Sequence, residues 1–130
     1  MTRYLVDTDW IIDVHHNRQD STATLAPQGL AMSAITYGGL YEGAYYARDP
    51  VAALDGLRQV VAGKDVLPVT SPIAEWFAIV RGGLTPHLRR QIGDMDLLIA
   101  ATALHHGLTP VTRNVKDFRP VPGLTLYEPP

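Results

Sequence analysis

Tyr4-Leu5-Val6-Asp7-Thr8-Asp9-Trp10-Ile11-Ile12 is a short apolar run that stops at an acid and passes directly into helical spacing. With Thr8 or Asp9 available as N-cap, it reads as a strand feeding a helix. The unit recurs. Leu30-Ala31-Met32 reads as a second strand, with Ser33 capping a helix through about Ala47. Asp49-Pro50 opens a further helix that Gly63 stops, and Val66-Leu67-Pro68-Val69 reads as a third strand. Thr70 or Ser71 ahead of Pro72 starts another helix, buried along Ile73, Trp76, Phe77 and Val80, and a loop carrying Pro86 and the basic pair Arg89-Arg90 follows. Asp94 to His106 is apolar nearly all round, which predicts a helix packed on both sides, with Gly107 as its C-cap. Val111-Thr112 predicts a fourth strand and Leu124-Thr125-Leu126 an edge strand. Strands alternating with helices predict an α/β fold: one domain over residues 1–130, with a mainly parallel sheet of four or five strands flanked by helices.

The acids stand out against that background. Asp7 and Asp9 follow the first strand, and Gly93-Asp94-Met95-Asp96-Leu97-Leu98-Ile99-Ala100-Ala101 places two more at the head of the apolar helix. Ionised carboxylates gathered in a half-buried crevice repel one another and lose hydration, so they persist only if protons or a cation neutralise them. In parallel sheets such crevices lie beyond the carboxyl ends of the strands, where strand order reverses. Asp7, Thr112 and Asn114 fall at or just after strand ends, and Asp96 falls in a first helical turn, where the macrodipole favours an anion. A metal site is the natural expectation.

Composition sets limits on function. The 130 residues are 46% hydrophobic and 18% charged, the balance of an ordinary soluble domain. The chain has no cysteine, so disulfides, thiolate ligands and a cysteine nucleophile are excluded, in keeping with the cytoplasm. The longest apolar stretch falls far short of the roughly 20 residues that span a bilayer, and Asp7 interrupts any signal-peptide core. A net charge of −2 gives no global pull on nucleic acid, so a polynucleotide would need a local basic patch. Arg3, Arg89, Arg90, Arg113 and Lys116 are the candidates. The pairs His15-His16 and His105-His106 read as structural, because adjacent helical residues point about 100° apart and do not share one ion. Tyr37, Tyr41 and Tyr45 read as packing at helical spacing.

Across nearly the whole chain the residues resemble the PIN-domain family, especially the VapC-type toxins of bacterial toxin–antitoxin pairs. The resemblance is carried by Leu5-Val6-Asp7-Thr8-Asp9, Ser33-Ala34-Ile35-Thr36, Ile92-Gly93 with Asp96-Leu97-Leu98-Ile99-Ala100-Ala101, Val111-Thr112-Arg113-Asn114, and Asp117-Phe118 leading to Pro122-Gly123-Leu124. It implies a ribonuclease dependent on Mg²⁺ or Mn²⁺, with Asp7 and Asp96 as metal-holding acids, Asn114 at the fourth family position and Thr112 as a supporting hydroxyl. Asp9, where the family usually has Asn, and Asp94 are weaker ligand candidates. It further implies a homodimer, a VapB-type antitoxin, and contact with DNA only through that antitoxin. Hard cations on oxygen ligands suit phosphodiester hydrolysis, because they activate water and relieve developing negative charge.

The departure from the family is at Gly39. The family places Glu three residues beyond Thr36, whereas this chain reads Thr36-Tyr37-Gly38-Gly39. Glycine supplies no ligand and costs a helix interior about 1 kcal/mol relative to Ala. Glu42 lies one turn further and about 60° round, a partial substitute at best. Two alternatives stand beside it: a catalytically silent module that binds antitoxin or RNA, and a small phosphatase resembling the haloacid-dehalogenase group through Asp7-Thr8-Asp9 and Gly93-Asp94-Met95-Asp96, which the chain's size and the setting of its only lysines, Lys64 and Lys116, oppose.

Overall fold

Strand β1 (Tyr4–Val6) pairs in parallel with β2 (Leu30–Ser33) on one side and β4 (Thr109–Val111) on the other. Strand β3 (Asp65–Leu67) extends the sheet beyond β2, giving the order β3-β2-β1-β4 in a computed structural model that describes residues 3–8, 11 and 29–127. The helices of the described residues are α1 (Ala34–Tyr45), α2 (Pro50–Val61), α3 (Ser71–Gly83), α4 (Pro86–Ile92), α5 (Asp94–His106) and α6 (Val115–Phe118). Alternation along the strands divides the core between two faces. Leu5 and Ala31 turn toward Val80, Leu97, Ala100 and Phe118, while Val6, Leu30 and Met32 turn toward Leu40, Leu57 and Val111.

Local chemistry sets the helix boundaries. Buried Ser33 accepts the Ile35 N–H at 3.1 Å, so β2 passes into α1 without a loop. Asp49 accepts the Ala52 N–H at 3.2 Å ahead of Pro50. Gly93 joins α4 to α5 at φ 81°, and Gly107 ends α5 in the left-handed region at φ 65°, conformations that a side chain would strain. Helix α1 contains Gly38, Gly39 and Gly43, so propensity alone does not hold it. Its buried residues Thr36, Leu40 and Ala44 do, beside a ladder in which the Tyr37 and Tyr41 rings lie 4.6 Å apart and Tyr45 follows at 6.2 Å. Burial, followed by the neighbouring Tyr37, pushes the Tyr41 phenol up from its ordinary value.

Three expectations are corrected. The stretch with Pro86 and Arg89-Arg90 is helix α4, whose N-cap Thr85 accepts the Leu88 N–H at 3.3 Å; its short amphipathic turn, Leu88 and Ile92 inward, is what the loop reading missed. Leu124-Thr125-Leu126 forms no strand. Tyr127 donates to the Pro110 carbonyl at 3.1 Å, but Pro110 has no N–H to return, so no ladder extends from β4. Trp76 is part-exposed, and Ile73 and Val80 carry the buried face of α3.

Helix α5 packs most extensively against α3 and is the central element of its layer. Leu97→Ala is expected to cost about 2–5 kcal/mol in urea unfolding, because Leu97 is fully buried. Met95→Ala, on the same turn but 65% exposed, is expected to stay within about 0.5 kcal/mol; equal losses would contradict the packing. At the far end of α5, partial desolvation and then the charge of His105 pull the His106 imidazole below its ordinary value. The unfolded chain therefore binds that proton more readily, and stability falls as pH drops through about 6.5. Thermal melts between about pH 8 and pH 5 should show this loss, and His106→Gln should flatten it; an unchanged pH profile would contradict the assignment.

Candidate active site

The chain leaves β1 toward β2 and β3 on one side and returns through β4 on the other, so strand order reverses at β1. In open parallel sheets the ligand crevice lies at such a reversal, here beyond the carboxyl ends of β1 and β4. Asp7 is the first residue after β1, and its N–H continues the ladder to the Val111 carbonyl at 3.1 Å. Thr112 follows β4 directly. Its hydroxyl donates to Asp7 Oδ2 at 3.0 Å and accepts the Asn114 N–H at 3.0 Å. Asp7 Oδ1 accepts the Thr8 N–H at 2.8 Å. Both oxygens of the half-buried carboxylate are thus held by neighbours on the strand ends. Asn114 enters this chain through its backbone and is the N-cap position of α6.

Two helices begin at the same end of the sheet. Helix α1 follows β2 without a break, and α5 runs back along the sheet to feed β4 through Gly107 and Leu108. The first turn of α5, with half-buried Asp96, therefore lies at the carboxyl end of the strands beside the Asp7 crevice. Gly39 lies on the second turn of α1 and is exposed, and a Cβ built there meets nothing within 4 Å. One turn earlier, Thr36 is buried and its Oγ1 finds no hydrogen-bond partner. Glu42 is exposed further along α1, away from the strand ends.

Asp9, His15 and His16 lie outside the described residues. Asp94 is not the cap of α5, a position held by Gly93; its exposed carboxylate accepts from Arg81 Nε at 2.9 Å and ties α5 to the last turn of α3. Lys64 stands at the amino end of β3, opposite the crevice, with its ammonium on the Val60 carbonyl and its pKa lowered by burial. The other lysine, Lys116, is exposed on the short helix α6 that follows β4.

The carboxylates of Asp7 and Asp96 are hard oxygen donors of the type Mg²⁺ and Mn²⁺ take. Among the described residues, however, no three acids, histidines or cysteines come together to hold an ion. With glycine at position 39, the described donors fall short of a complete cation site. Helix α1 carries the unpartnered Thr36 hydroxyl and, one turn on, no side chain at Gly39. Sequence reasoning missed this hydroxyl and the Arg81–Asp94 pair. A threonine at helical spacing gives no sign of being unpartnered, and the pair joins residues of two different helices.

Comparison with known proteins places this geometry. Ribonuclease VapC1 of Haemophilus influenzae (strain R2866) is 29% identical over 126 residues, covering 93% of both chains. A chain in the structure of DNA-bound VapBC from Salmonella typhimurium superposes with a TM-score of 0.84 at 25% identity, covering 98% of each chain. VapBC-5 from Mycobacterium tuberculosis, a member of the VapBC family of toxin-antitoxin systems, gives 0.70 at 25% identity over 96% of this chain and 94% of that one. The model of the PIN domain matches residues 4–124, and with strand order, crevice and acids in agreement, the chain belongs to the PIN-domain family.

Proposed function

We propose that this chain is a VapC-type toxin of a type II toxin–antitoxin system, an endoribonuclease acting on RNA phosphodiester bonds with Mg²⁺ or Mn²⁺. The observation that carries the reading is the Thr112 hydroxyl bridging Asn114 to Asp7 across the ends of β4 and β1, with Asp96 at the same end. That arrangement orients one carboxylate in a crevice open to a substrate strand. The VapC1 relative named a ribonuclease supports the activity, and the VapBC structures support a VapB-type antitoxin, with DNA reached through it. A homodimer and a cytoplasmic location complete the proposal; among the described residues no helix is long and apolar enough to cross a membrane.

In this reading Asp7 and Asp96 are the principal ligands, Thr112 positions Asp7, and Asn114 holds Thr112. Asp9 and Asp94 have lesser roles. Gly39 leaves the ligand set one carboxylate short, so the chain as it stands cleaves weakly or not at all. The same empty position favours one second reading, a silent module that binds its antitoxin or RNA without turnover.

The test is metal-dependent cleavage of a labelled structured RNA. Gly39→Glu, whose Cβ would meet nothing within 4 Å, is expected to raise the rate at least about 10-fold, or about 1.4 kcal/mol of barrier. EDTA or Asp96→Asn should abolish it. Equal cleavage by the chain, Gly39→Glu and Asp96→Asn would refute the site, and antitoxin binding with no turnover in any form would leave the silent module.

In the Gly39→Glu background, Thr112→Val should lower activity about 10- to 100-fold, the range seen when a ligand's outer support is removed. Thr112→Ser should restore it. Full activity in the valine variant would show that the hydroxyl does not position Asp7.

A further inference from the structure

The last turn of α3 and the short helix α4 border an open surface cavity of about 240 Å³ lined by Arg81, Pro86, Arg89 and Arg90. Three of its four lining residues are arginines, in a chain whose net charge is −2. Neighbouring like charges repel one another, and an anion bound between them relieves that repulsion. Asp94 meets one of the three, through Arg81 Nε alone. Neither Arg89 nor Arg90 pairs with a carboxylate among the described residues. Guanidinium is planar, always charged, and presents forked donors that match two phosphate oxygens at once.

The position of the cavity is as informative as its charge. Through the Arg81–Asp94 pair it abuts the first turn of α5, and Asp96 lies on that same turn, two residues on. Two residues advance a helix by about 3 Å and turn it by about 200°. The arginines therefore flank one side of the helix start and Asp96 faces the other.

We propose that the Arg81-Arg89-Arg90 cavity is a phosphate-binding subsite for single-stranded RNA, one that leads the strand across the amino end of α5 to the Asp7–Asp96 crevice. This rests on the ribonuclease reading for its choice of polynucleotide. Arg89 and Arg90 grip backbone phosphate, which fixes register without reading sequence. Asp94 holds Arg81 in place and competes with the incoming phosphate for it.

The test is fluorescence anisotropy of a short labelled single-stranded oligoribonucleotide with the full chain, in EDTA so that binding is read without cleavage, at rising KCl. Arg89→Ala/Arg90→Ala is expected to weaken binding about 10-fold and to lower the log K against log salt slope by about 1.4, about 0.7 for each phosphate that is no longer neutralised. Asp94→Asn, which frees Arg81, should tighten binding several-fold. Arg48→Ala, between α1 and α2, should change neither. Thermal melts confirm that the variants are folded.

Unaltered affinity and slope in the double variant would overturn the subsite. So would an equal loss in Arg48→Ala, weaker binding in Asp94→Asn, or no binding by the chain itself. A DNA oligomer of the same sequence held more tightly through the same arginines would overturn the assignment to RNA. The ribonuclease reading fails separately, by lack of cleavage in Gly39→Glu while arginine-dependent binding persists.

Discussion

Everything at the crevice depends on β1 being paired on both sides. Leu5 and Val6 are buried on opposite faces, and the ladders to β2 and β4 leave this three-residue strand no freedom to slide. A shift of one residue would exchange Leu5 for Val6 between the two halves of the core. Asp7 inherits that register. It is the next residue along, its N–H is tied to Val111, and its carboxylate meets Thr112 because β4 is held in step.

Much of this was legible in the sequence. Runs ending in acids gave the strands and the crevice, because parallel sheets place polar chemistry beyond strand ends. Capping residues gave the helix starts at Ser33 and Asp49, and Gly107 gave the end of α5. Thr112 and Asn114 were visible as neighbours of a strand end, but their linkage to Asp7 spans 105 positions and appears only in three dimensions. Helix α4 was missed because seven residues offer barely two turns of periodicity, and its basic pair suggested solvent. Asp94 read in the sequence as a weaker ligand candidate at the head of the apolar helix. In the structure the positive φ of Gly93 makes the joint, which leaves the carboxylate to find Arg81.

Helix α1 shows local preference yielding to packing. Three glycines in twelve residues oppose the helix, yet Leu40 and Ala44 against the sheet, with the tyrosine ladder beside them, hold it. Gly39 falls on the exposed side of that helix, where nothing in the core depends on its being glycine. Fold and chemistry are separable at this position. A side chain added there would meet open space, and in the proposed ribonuclease reading it is where an oxygen donor is gained or lost.

Pro110 has a consequence for the molecule as a whole. An open sheet offers a row of unused amides at each border, a template on which another chain can crystallise as an added strand. Along β4 that template is interrupted by an imide nitrogen and overlaid by Tyr127, whose amide already occupies the outward carbonyl. The opposite border is a three-residue strand that opens on a charged, exposed aspartate. Both margins of the sheet are thereby blunted, which guards a protein built on so few strands against propagating edge to edge.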